Sequence, residues 1–374
     1  MSAINLEEPD RVPLCFRGVD PLKHLWRNSF ERVEKLAELG VDDKLSISVP
    51  WLYHPDVFVK EREVVSPKER YPTVIKEIET PEGDLRMMAR KTKDWQFDTL
   101  PLVADQLWPR GVEYLVKGRE DFKKLPYILY DAEKKELKHF YRNVEEVKKF
   151  AGDRVLVEGS INGALNIAMS FCGPTRFMRA VLHDKDFASD LLRLIQDWEM
   201  KTMERLLEVG VDMIYVSGCY EGALFFSPEI FRRLFAHLIR EKVEATHRAH
   251  AKLRYYSSLG IMPLLQDYKE IGIDILEGLP PPPEAPEGTV DIRRVKEEIG
   301  DAICLWGGLS ATLVTRYRKE DVEQAVRDTI SILAPGGGFV LSTCGSIIEE
   351  EPYDNVMTLI KTWRWLRDYP IRKI

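Results

Sequence analysis

Three residues in the C-terminal third of the chain could form a metal site. Glu277, Cys304 and Cys344 each lie on or directly after a short apolar run that is typical of a buried strand. If these runs are neighbouring strands of one parallel barrel, the carboxylate and the two thiols could meet at one place. One carboxylate and two thiolates would suit a zinc ion with one coordination position left open. The pattern therefore predicts a metal-dependent enzyme.

Short apolar runs alternate with longer segments of helical periodicity along the whole chain. Several of the runs are apolar on both faces, as expected for parallel strands that helices cover. The predicted strands are Val12–Phe16, Leu45–Val49, Val155–Ser160, Asp212–Ser217, Leu253–Ser257, Ile273–Leu276, Ile303–Gly307 and Phe339–Ser342. Alternating strands and helices predict right-handed βαβ units, and eight units predict an α/β fold of the (β/α)8 TIM-barrel type.

One segment departs from this repeat. Residues 58–147 lie between the second and third predicted strands and contain a predicted β-hairpin, formed by Tyr71–Thr80 and Asp84–Thr92. We interpret 58–147 as an insertion in a single barrel domain that spans residues 1–374. A segment of this length at the carboxyl ends of the strands could cover an active site, although a packed surface decoration fits the sequence equally well.

The overall composition is that of an ordinary globular enzyme. Of the 374 residues, 44% are hydrophobic and 31% are charged, so a large core can form without disulfides. The net charge of −7 argues against a general binder of nucleic acid or anionic membranes, although it leaves room for a local basic patch. The sequence contains no Gly-rich phosphate loop of the nucleotide-binding type.

The cysteines and the N-terminal sequence predict a cytoplasmic protein. The five cysteines are odd in number, widely spaced and without a Cys-x-x-Cys pair, which favours free thiols in a reducing compartment. The first residues show no basic segment followed by an apolar one, so no signal peptide is predicted. No apolar run approaches the roughly 18 residues that a membrane-spanning helix needs.

Polar residues that follow other predicted strands are candidates for catalysis. Tyr220 and Glu221 follow the fourth predicted strand, and Asn162 follows the third. Because the carboxyl ends of barrel strands share one face, these side chains could reach the same mouth as Glu277. Asn162 could donate a hydrogen bond to a substrate oxygen. Each of them could equally have a structural role.

Four further residues are candidates for substrate binding: Arg17, Tyr255, Tyr256 and Trp306. Arg17 follows the first predicted strand and could bind a substrate carboxylate or simply pair with an acidic residue. Tyr255 and Tyr256, in the fifth strand, could stack on an aromatic ring, although tyrosines at barrel ends more often pack half-buried. Trp306 lies in the seventh strand beside the predicted metal ligands.

Several motifs in a fixed order carry a family resemblance. The motifs are Asp10-Arg11-Val12-Pro13, Gly210-Val211-Asp212-Met213-Ile214, Phe226-Ser227-Pro228-Glu229, Gly272-Ile273-Asp274-Ile275-Leu276-Glu277, Leu305-Trp306-Gly307-Gly308-Leu309, Gly337-Gly338-Phe339-Val340-Leu341-Ser342 and Pro352-Tyr353-Asp354-Asn355-Val356. Together they cover nearly the whole chain and resemble the uroporphyrinogen decarboxylase superfamily. The resemblance implies a (β/α)8 barrel and one of two chemistries, decarboxylation or cobalamin-linked methyl transfer.

The details of the resemblance favour methyl transfer. The decarboxylases carry an arginine-rich segment after the first strand and a Gly-His-Gly near the last, whereas this chain has a single arginine, Arg17, in Cys15–Asp20 and no histidine beside Cys344. The coenzyme M methyltransferases carry a His-x-Cys after the fifth strand, where Tyr255–Gly260 has neither residue type. Some zinc methyltransferases of O-demethylase systems use one acidic residue and two cysteines, and the spacing of Glu277, Cys304 and Cys344 resembles theirs.

The resemblance implies a zinc-dependent methyltransferase that moves a methyl group from a small O-methylated substrate, such as an aryl methyl ether, to the Co(I) of a corrinoid protein. The cobalamin would belong to that partner, because this chain has no Asp-x-His-x-x-Gly motif. A homodimer is also compatible with the sequence. The alternatives are a metal-free lyase that resembles the decarboxylases and a barrel that binds ligands without catalysis.

Overall fold

A computed structural model describes residues 1–104, 109–257, 259–286, 289–348 and 352–371. The chain divides into two compact units. The first comprises residues 1–48, 143–160 and 206–374, and the second comprises residues 49–142 and 161–205. The two units are groups of residues that pack more closely within each group than between the groups. Such a division does not test the prediction of a single barrel domain.

The first unit is built around a parallel sheet of seven strands in the order β1-β6-β7-β8-β9-β10-β11. Its strands are β1 Lys44–Ile47, β6 Leu156–Ile161, β7 Met213–Ser217, β8 Lys252–Ser257, β9 Ile275–Gly278, β10 Cys304–Leu309 and β11 Phe339–Thr343. The sheet has an α/β topology, because helices connect its successive strands from β6 onward. Seven of the eight predicted strands overlap these elements.

The remaining predicted strand, Val12–Phe16, forms isolated bridges and not a regular strand, which corrects the prediction. Leu341 N donates to Pro13 O at 2.9 Å, and Asp42 N, shortly before β1, donates to Leu14 O at 2.8 Å. The segment therefore connects the two edges of the parallel sheet, as in a curled, TIM-like sheet. Pro13 explains why no ladder forms, because proline has no N–H to donate.

Helices flank the parallel sheet. They are α1 Ser29–Glu38, α3 Lys138–Ala151, α7 Pro228–Leu234, α8 Ala236–Arg248, α9 Leu265–Ile271, α10 Ile292–Ile299, α11 Ala311–Arg316, α12 Lys319–Leu333 and α13 Tyr353–Leu366. The Ser227 hydroxyl accepts from Ile230 N at 3.3 Å, which caps α7 as the sequence predicts. Gly40, with φ of 67°, follows the end of α1 in a conformation that glycine adopts without strain.

The second unit contains an antiparallel sheet in the order β2-β3-β4-β5 and four helices. Its elements are β2 Phe58–Val64, β3 Thr73–Thr80, β4 Gly83–Arg90, β5 Arg110–Glu113, α2 Leu125–Ile128, α4 Ala164–Cys172, α5 Pro174–His183 and α6 Lys185–Glu208. The strands β3 and β4 pair directly, with Thr80 opposite Gly83. Among the residues described, no helix of either unit combines the length and the apolar character needed to cross a bilayer.

An apolar layer lies at the amino ends of the parallel strands. Its buried members are Ala3, Ile4, Cys15, Met213, Ile275, Cys304, Trp306 and Val340. Ala3 and Ile4 precede the first bridged segment, so the N-terminal residues pack against this end of the sheet. In barrels of this type the chemistry is expected at the opposite, carboxyl ends of the strands.

Candidate active site at the carboxyl ends of the parallel strands

A buried carboxylate lies between two arginines in the middle of the parallel sheet. Glu277, in β9, is 1% exposed; its Oε1 accepts from Arg17 Nη1 at 3.1 Å and its Oε2 from Arg254 Nε at 3.0 Å. An unpaired carboxylate in this position would cost several kcal/mol. The two guanidinium groups therefore supply the counter-charge of Glu277 and fix its orientation.

The ion pairs continue across the sheet. Arg254 Nη1 donates to Glu158 Oε2 at 2.6 Å, and Lys44 Nζ donates to Glu158 Oε1 at 2.7 Å. Burial tends to raise the pKa of Glu158, but Arg254 and Lys44 outweigh it and hold that pKa below its ordinary value. Lys44, Glu158, Arg254, Glu277 and Arg17 thus form one row of alternating charges, which we call the charge network.

Arg17 forms the end of the charge network beyond Glu277. Its side chain is 12% exposed, compared with 4% for Arg254. Its Nη2 donates to Tyr215 Oη at 3.0 Å, and its guanidinium lies 3.9 Å from the centre of the Tyr256 ring. Burial disfavours the charged guanidinium, but Glu277 and Tyr215 raise the pKa of Arg17 above its ordinary value. Arg17 therefore presents a fixed positive charge beside two tyrosines.

Tyr255 and Tyr256 point to opposite faces of β8, as successive strand residues must. Tyr256 is directly opposite Glu277 in the ladder and shares its face. Tyr255 is fully buried on the other face, where its hydroxyl donates to Glu221 and its ring lies 5.8 Å from that of Tyr268. The structure therefore places Tyr256 with the charge network and Tyr255 in a separate buried pair with Glu221.

Gly218 explains how Glu221 comes to meet Tyr255. It follows β7, and a Cβ at this position would collide with the Tyr255 ring. Burial, followed by the charge of Glu221, raises the pKa of Tyr255 well above its ordinary value. The Tyr255 hydroxyl therefore keeps its proton and orients the Glu221 carboxylate, which is 6% exposed.

Cys344 lies at the carboxyl end of β11, near Glu277. Its Sγ donates to Gly278 O at 2.5 Å, and its backbone N donates to Leu309 O at 2.7 Å. Burial raises the pKa of the thiol, and the nearby carboxylates of Glu284 and Glu277 raise it further. In this environment Cys344 is a neutral thiol.

Cys304 lies at the other end of the sheet from Cys344. It is the first residue of β10, whereas Cys344 N bonds to Leu309, the last residue of the same strand. The Cys344 Sγ reaches back to Gly278, which pairs with Gly307, and three residues of strand, or about 10 Å, separate Gly307 from Cys304. Two thiolates on one zinc ion lie within about 5 Å of each other. Burial in the apolar layer raises the pKa of Cys304 to about 12.

The predicted zinc ligands therefore do not fit one metal site in this structure. Cys304 is in the apolar layer, both carboxylate oxygens of Glu277 are engaged by arginines, and Cys344 is alone of the three at the rim. Within the described ranges, no group of three His, Cys, Asp or Glu side chains is arranged to hold a metal ion. A zinc site of this composition stays a prediction that the geometry does not favour.

The other predicted site residues occupy different places. Trp306 is 3% exposed in the apolar layer, with the Arg254 guanidinium 4.5 Å from its ring centre, so it packs beneath the charge network. Tyr220 is half-buried after β7, and its ring lies 5.5 Å from that of Phe225. Asn162 is an exposed residue of the second unit, directly after β6.

Sequence reasoning missed Lys44, Glu158, Tyr215 and Arg254. A signal was present, because Lys44, Glu158 and Arg254 are charged residues inside predicted or adjacent strands that are otherwise largely apolar. A charge in such a run must find a partner, and here the three pair with one another and with Glu277. Sequence reasoning also missed Cys219, which is half-buried after β7. The negative charge of a Cys219 thiolate would raise the pKa values of Tyr255 and Tyr256.

The charge network can stabilise negative charge, and the separate Tyr255–Glu221 pair holds a carboxylate that can relay a proton. Arg17 is a positive group with limited exposure, and such groups are most effective at stabilising an oxyanion where water is largely excluded. Glu221 is a carboxylate held in one orientation by a tyrosine. A cation that stabilises a leaving oxygen and a carboxyl group that returns a proton are the elements of many group-transfer reactions.

Comparison with solved structures shows a fold shared over the whole chain. A methyltransferase from Methanosarcina mazei is similar to this chain with a TM-score of 0.59 and 16% identity, covering 97% of this chain and 96% of that one. A 3-keto-D-glucoside 4-epimerase from E. coli has a TM-score of 0.36 and 13% identity, covering 66% and 92%. A sugar phosphate isomerase/epimerase from Parabacteroides distasonis has a TM-score of 0.33 and 11% identity, covering 62% and 77%.

No curated protein sequence matches the chain. The profile of one family, described as uroporphyrinogen decarboxylase (URO-D), matches residues 102–365. This match includes β6 to β11 and most of α13, and therefore the strands that carry Glu158, Arg254, Glu277 and Cys344. The chain belongs to the uroporphyrinogen decarboxylase (URO-D) family.

Proposed function

We propose that the chain is a methyltransferase that removes the methyl group from a small O-methylated substrate, with an aryl methyl ether as the first choice. The acceptor is the Co(I) of a corrinoid that a separate protein carries. The observation that carries the proposal is the end-to-end likeness in fold to the methyltransferase from Methanosarcina mazei. The departures of this sequence from the decarboxylase motifs at Arg17 and Cys344 support the same choice.

The reaction requires stabilisation of the leaving oxygen. When Co(I) attacks the methyl carbon with its electron pair, the bond between the methyl carbon and the ether oxygen breaks. The oxygen keeps the electron pair of that bond and becomes an alkoxide or phenoxide. In the proposal, Arg17 donates a hydrogen bond to this oxygen and stabilises its charge. Glu277 and Tyr215 hold the guanidinium in place before the substrate arrives, so little reorganisation is needed during the reaction.

The product oxygen then takes up one proton that comes from solvent water, and we assign the relay of this proton to the Glu221 carboxylate. Tyr255 donates to Glu221 and keeps its own proton, so it positions the carboxyl group and is not the proton source. Tyr220 is the next residue along the same loop and contributes to the wall around Glu221. No step in the proposal depends on zinc.

A cytoplasmic location belongs to the same proposal, because a Co(I) corrinoid survives only under reducing conditions. The cysteines of the chain are consistent with this, since all five are free thiols.

A second candidate is a metal-free lyase that acts on a carboxylated substrate. The family match favours it, and so does the charge network, in which an arginine could bind a carboxylate without any metal. The two candidates differ in their products: the lyase releases carbon dioxide and needs no corrinoid, whereas the methyltransferase consumes Co(I) and forms a demethylated alcohol or phenol.

Single-turnover methyl transfer separates the candidates. The purified chain is mixed anaerobically with free cob(I)alamin and a panel of methyl ethers, and product formation is followed together with loss of the Co(I) absorbance. We expect turnover that depends on the chain, and a decrease of about 100-fold in Glu221→Gln and in Arg17→Met. Glu244→Gln, at an exposed position of α8, is the matched control and retains the wild-type rate.

Failure of every ether with folded wild-type chain would reject the methyltransferase. Release of carbon dioxide from carboxylated aromatic or tetrapyrrole substrates, without corrinoid, would then establish the lyase. Equal rates in wild type and Glu221→Gln would reject the assignment of proton delivery to that residue.

A further inference from the structure

The second unit carries a row of basic side chains along α5. Arg176, Arg179 and His183 follow one another at the i, i+3 and i+7 spacing that places residues on one face of a helix. All three are exposed. Neither Arg176 nor Arg179 forms a salt bridge with any residue that the structure describes. These two positive charges are therefore available to an external group.

Two cavities of the second unit share Arg176 and Arg179. One has a volume of about 560 Å³ and is also lined by Tyr114 and Lys117. The other has a volume of about 450 Å³ and is also lined by Arg119 and His183. Volumes of this size suit small molecules. The two arginines are thus positioned where ligand-sized concave surfaces meet.

The N-terminus of α5 lies in the wall of the larger cavity. Pro174 is its first residue and has no N–H, and Phe177 N bonds to Gly173 O at 3.0 Å. The amides of Thr175 and Arg176 precede the first regular helical hydrogen bond, and no side chain caps them. Because unpaired amides and the helix dipole favour an anion at this point, they reinforce the two arginines.

Three of the acidic residues around the two cavities have partners. Glu113 pairs with Lys117 and with Arg86, and the latter contact is 3.3 Å long. Asp184 Oδ1 accepts from Phe187 N at 3.1 Å. Arg119 pairs with Asp190 at 2.7 Å. Arg176 and Arg179, unlike Arg119, have no acidic side chain paired with them among the described residues, although the whole chain carries −7.

We propose that Arg176 and Arg179, together with the N-terminus of α5, bind the phosphate group of a small phosphorylated molecule whose remainder occupies the adjoining cavities. Guanidinium groups bind phosphate oxygens in pairs, and a phosphate dianion matches two uncompensated cations. Lys117 and Arg119 line the adjoining cavities, where Glu113 and Asp190 balance their charges. Every residue in the site belongs to the second unit, and none of them has a role in the proposed methyl transfer.

Calorimetric titration at constant ionic strength tests the site with inorganic phosphate and with glycerol phosphate as probes. We expect one phosphate per wild-type chain and at least a tenfold loss of affinity in Arg176→Gln/Arg179→Gln. The matched control is Lys138→Gln/Arg142→Gln, which removes two exposed positive charges from α3 and retains wild-type affinity. Circular dichroism verifies that both variants are folded.

Three results would overturn the proposal. Absence of stoichiometric binding to the wild-type chain would remove the site, and equal affinity in both double variants would show a general charge effect. Binding of inorganic phosphate with exclusion of glycerol phosphate would reject a phosphorylated small molecule as ligand. Binding of glycerol phosphate at least as tight as that of inorganic phosphate would support the proposal, because the glycerol group would then occupy the cavity beside the phosphate position.

Discussion

Arg17 Nη1 lies 3.1 Å from Glu277 Oε1, although 260 positions separate the two residues in sequence. The contact joins Arg17, which directly follows the bridged segment Val12–Phe16, to β9. Tyr256 lies beside both residues: it is opposite Glu277 in the ladder, and its ring contacts the Arg17 guanidinium. A residue that the sequence suggested as a zinc ligand thus serves to hold a guanidinium group. This pairing is the basis for the first prediction.

Glu277→Gln removes the carboxylate that Arg17 and Arg254 share. We expect a loss of about 3–5 kcal/mol in the free energy of unfolding, because two largely buried guanidinium groups lose their common counter-charge. Urea denaturation measures the loss, with Glu244→Gln on the exposed face of α8 as control. A change below about 1 kcal/mol would show that the charge network contributes little to stability.

Cys304→Val tests whether Cys304 is a structural residue or a metal ligand. Valine fits an apolar layer, so we expect a change in unfolding free energy of less than about 1.5 kcal/mol. We also expect the variant and the wild-type chain to have the same zinc content by plasma mass spectrometry. One zinc per wild-type chain that disappears in Cys304→Val would contradict the placement of Cys304 away from the rim.

Tyr255→Phe and Tyr256→Phe form a pair of variants on opposite faces of one strand. Loss of the Tyr255 hydroxyl deprives the buried Glu221 of a donor, so we expect a cost of about 1–3 kcal/mol in unfolding free energy. The Tyr256 hydroxyl makes only a long contact of 3.4 Å to Cys344 O, and Phe keeps the ring beside Arg17, so a cost below about 1 kcal/mol is expected. Thermal and urea unfolding measure the two costs. A larger loss of stability in Tyr256→Phe than in Tyr255→Phe would refute the assignment of the buried hydrogen bond to Tyr255.

The stability contributed by Glu158 depends on pH. Its pKa in the folded chain is lower than the ordinary value of 4.5, so its ion pairs stabilise the fold above that value and are lost as the pH falls through the folded pKa. We therefore expect Glu158→Gln to be destabilised relative to wild type at pH 7 and this difference to shrink in solutions more acidic than pH 4.5. Urea denaturation at a series of pH values measures the difference. A constant difference across that range would mean that Glu158 is not held ionised by Lys44 and Arg254.

The positions of most parallel strands could be predicted from the sequence because buried strands are short apolar runs. The prediction for β11 begins at the observed residue, Phe339, and that for β8 begins one residue late. The apolar periodicity of 228–248 is continuous, yet the segment forms two helices, α7 and α8, that meet at Phe235. The prediction of a strand at Val12–Phe16 was wrong, because a run of apolar residues does not reveal how many of its backbone amides will find hydrogen-bond partners.

The candidate site was less predictable than the fold because it depends on register. Strand alternation separates Tyr255 from Tyr256, but only the observed pairing shows which of them faces Glu277. Likewise, the level of Cys304 relative to Cys344 follows from the ladder between β10 and β11, which local sequence does not specify. The arginines and acids of the charge network were visible as charges in strands, yet their partners come from distant segments.

The bridging of Val12–Phe16 to β11 has a consequence for biosynthesis. Leu14 pairs with Leu341, so the contact that joins the edges of the sheet links residues that are far apart in sequence. During translation Leu14 emerges more than 300 residues before its partner, and it must remain without it until Leu341 has been synthesised. Until then the apolar side chains of this segment and the open edge of β1 are exposed to wrong partners, which makes the nascent chain a substrate for chaperones.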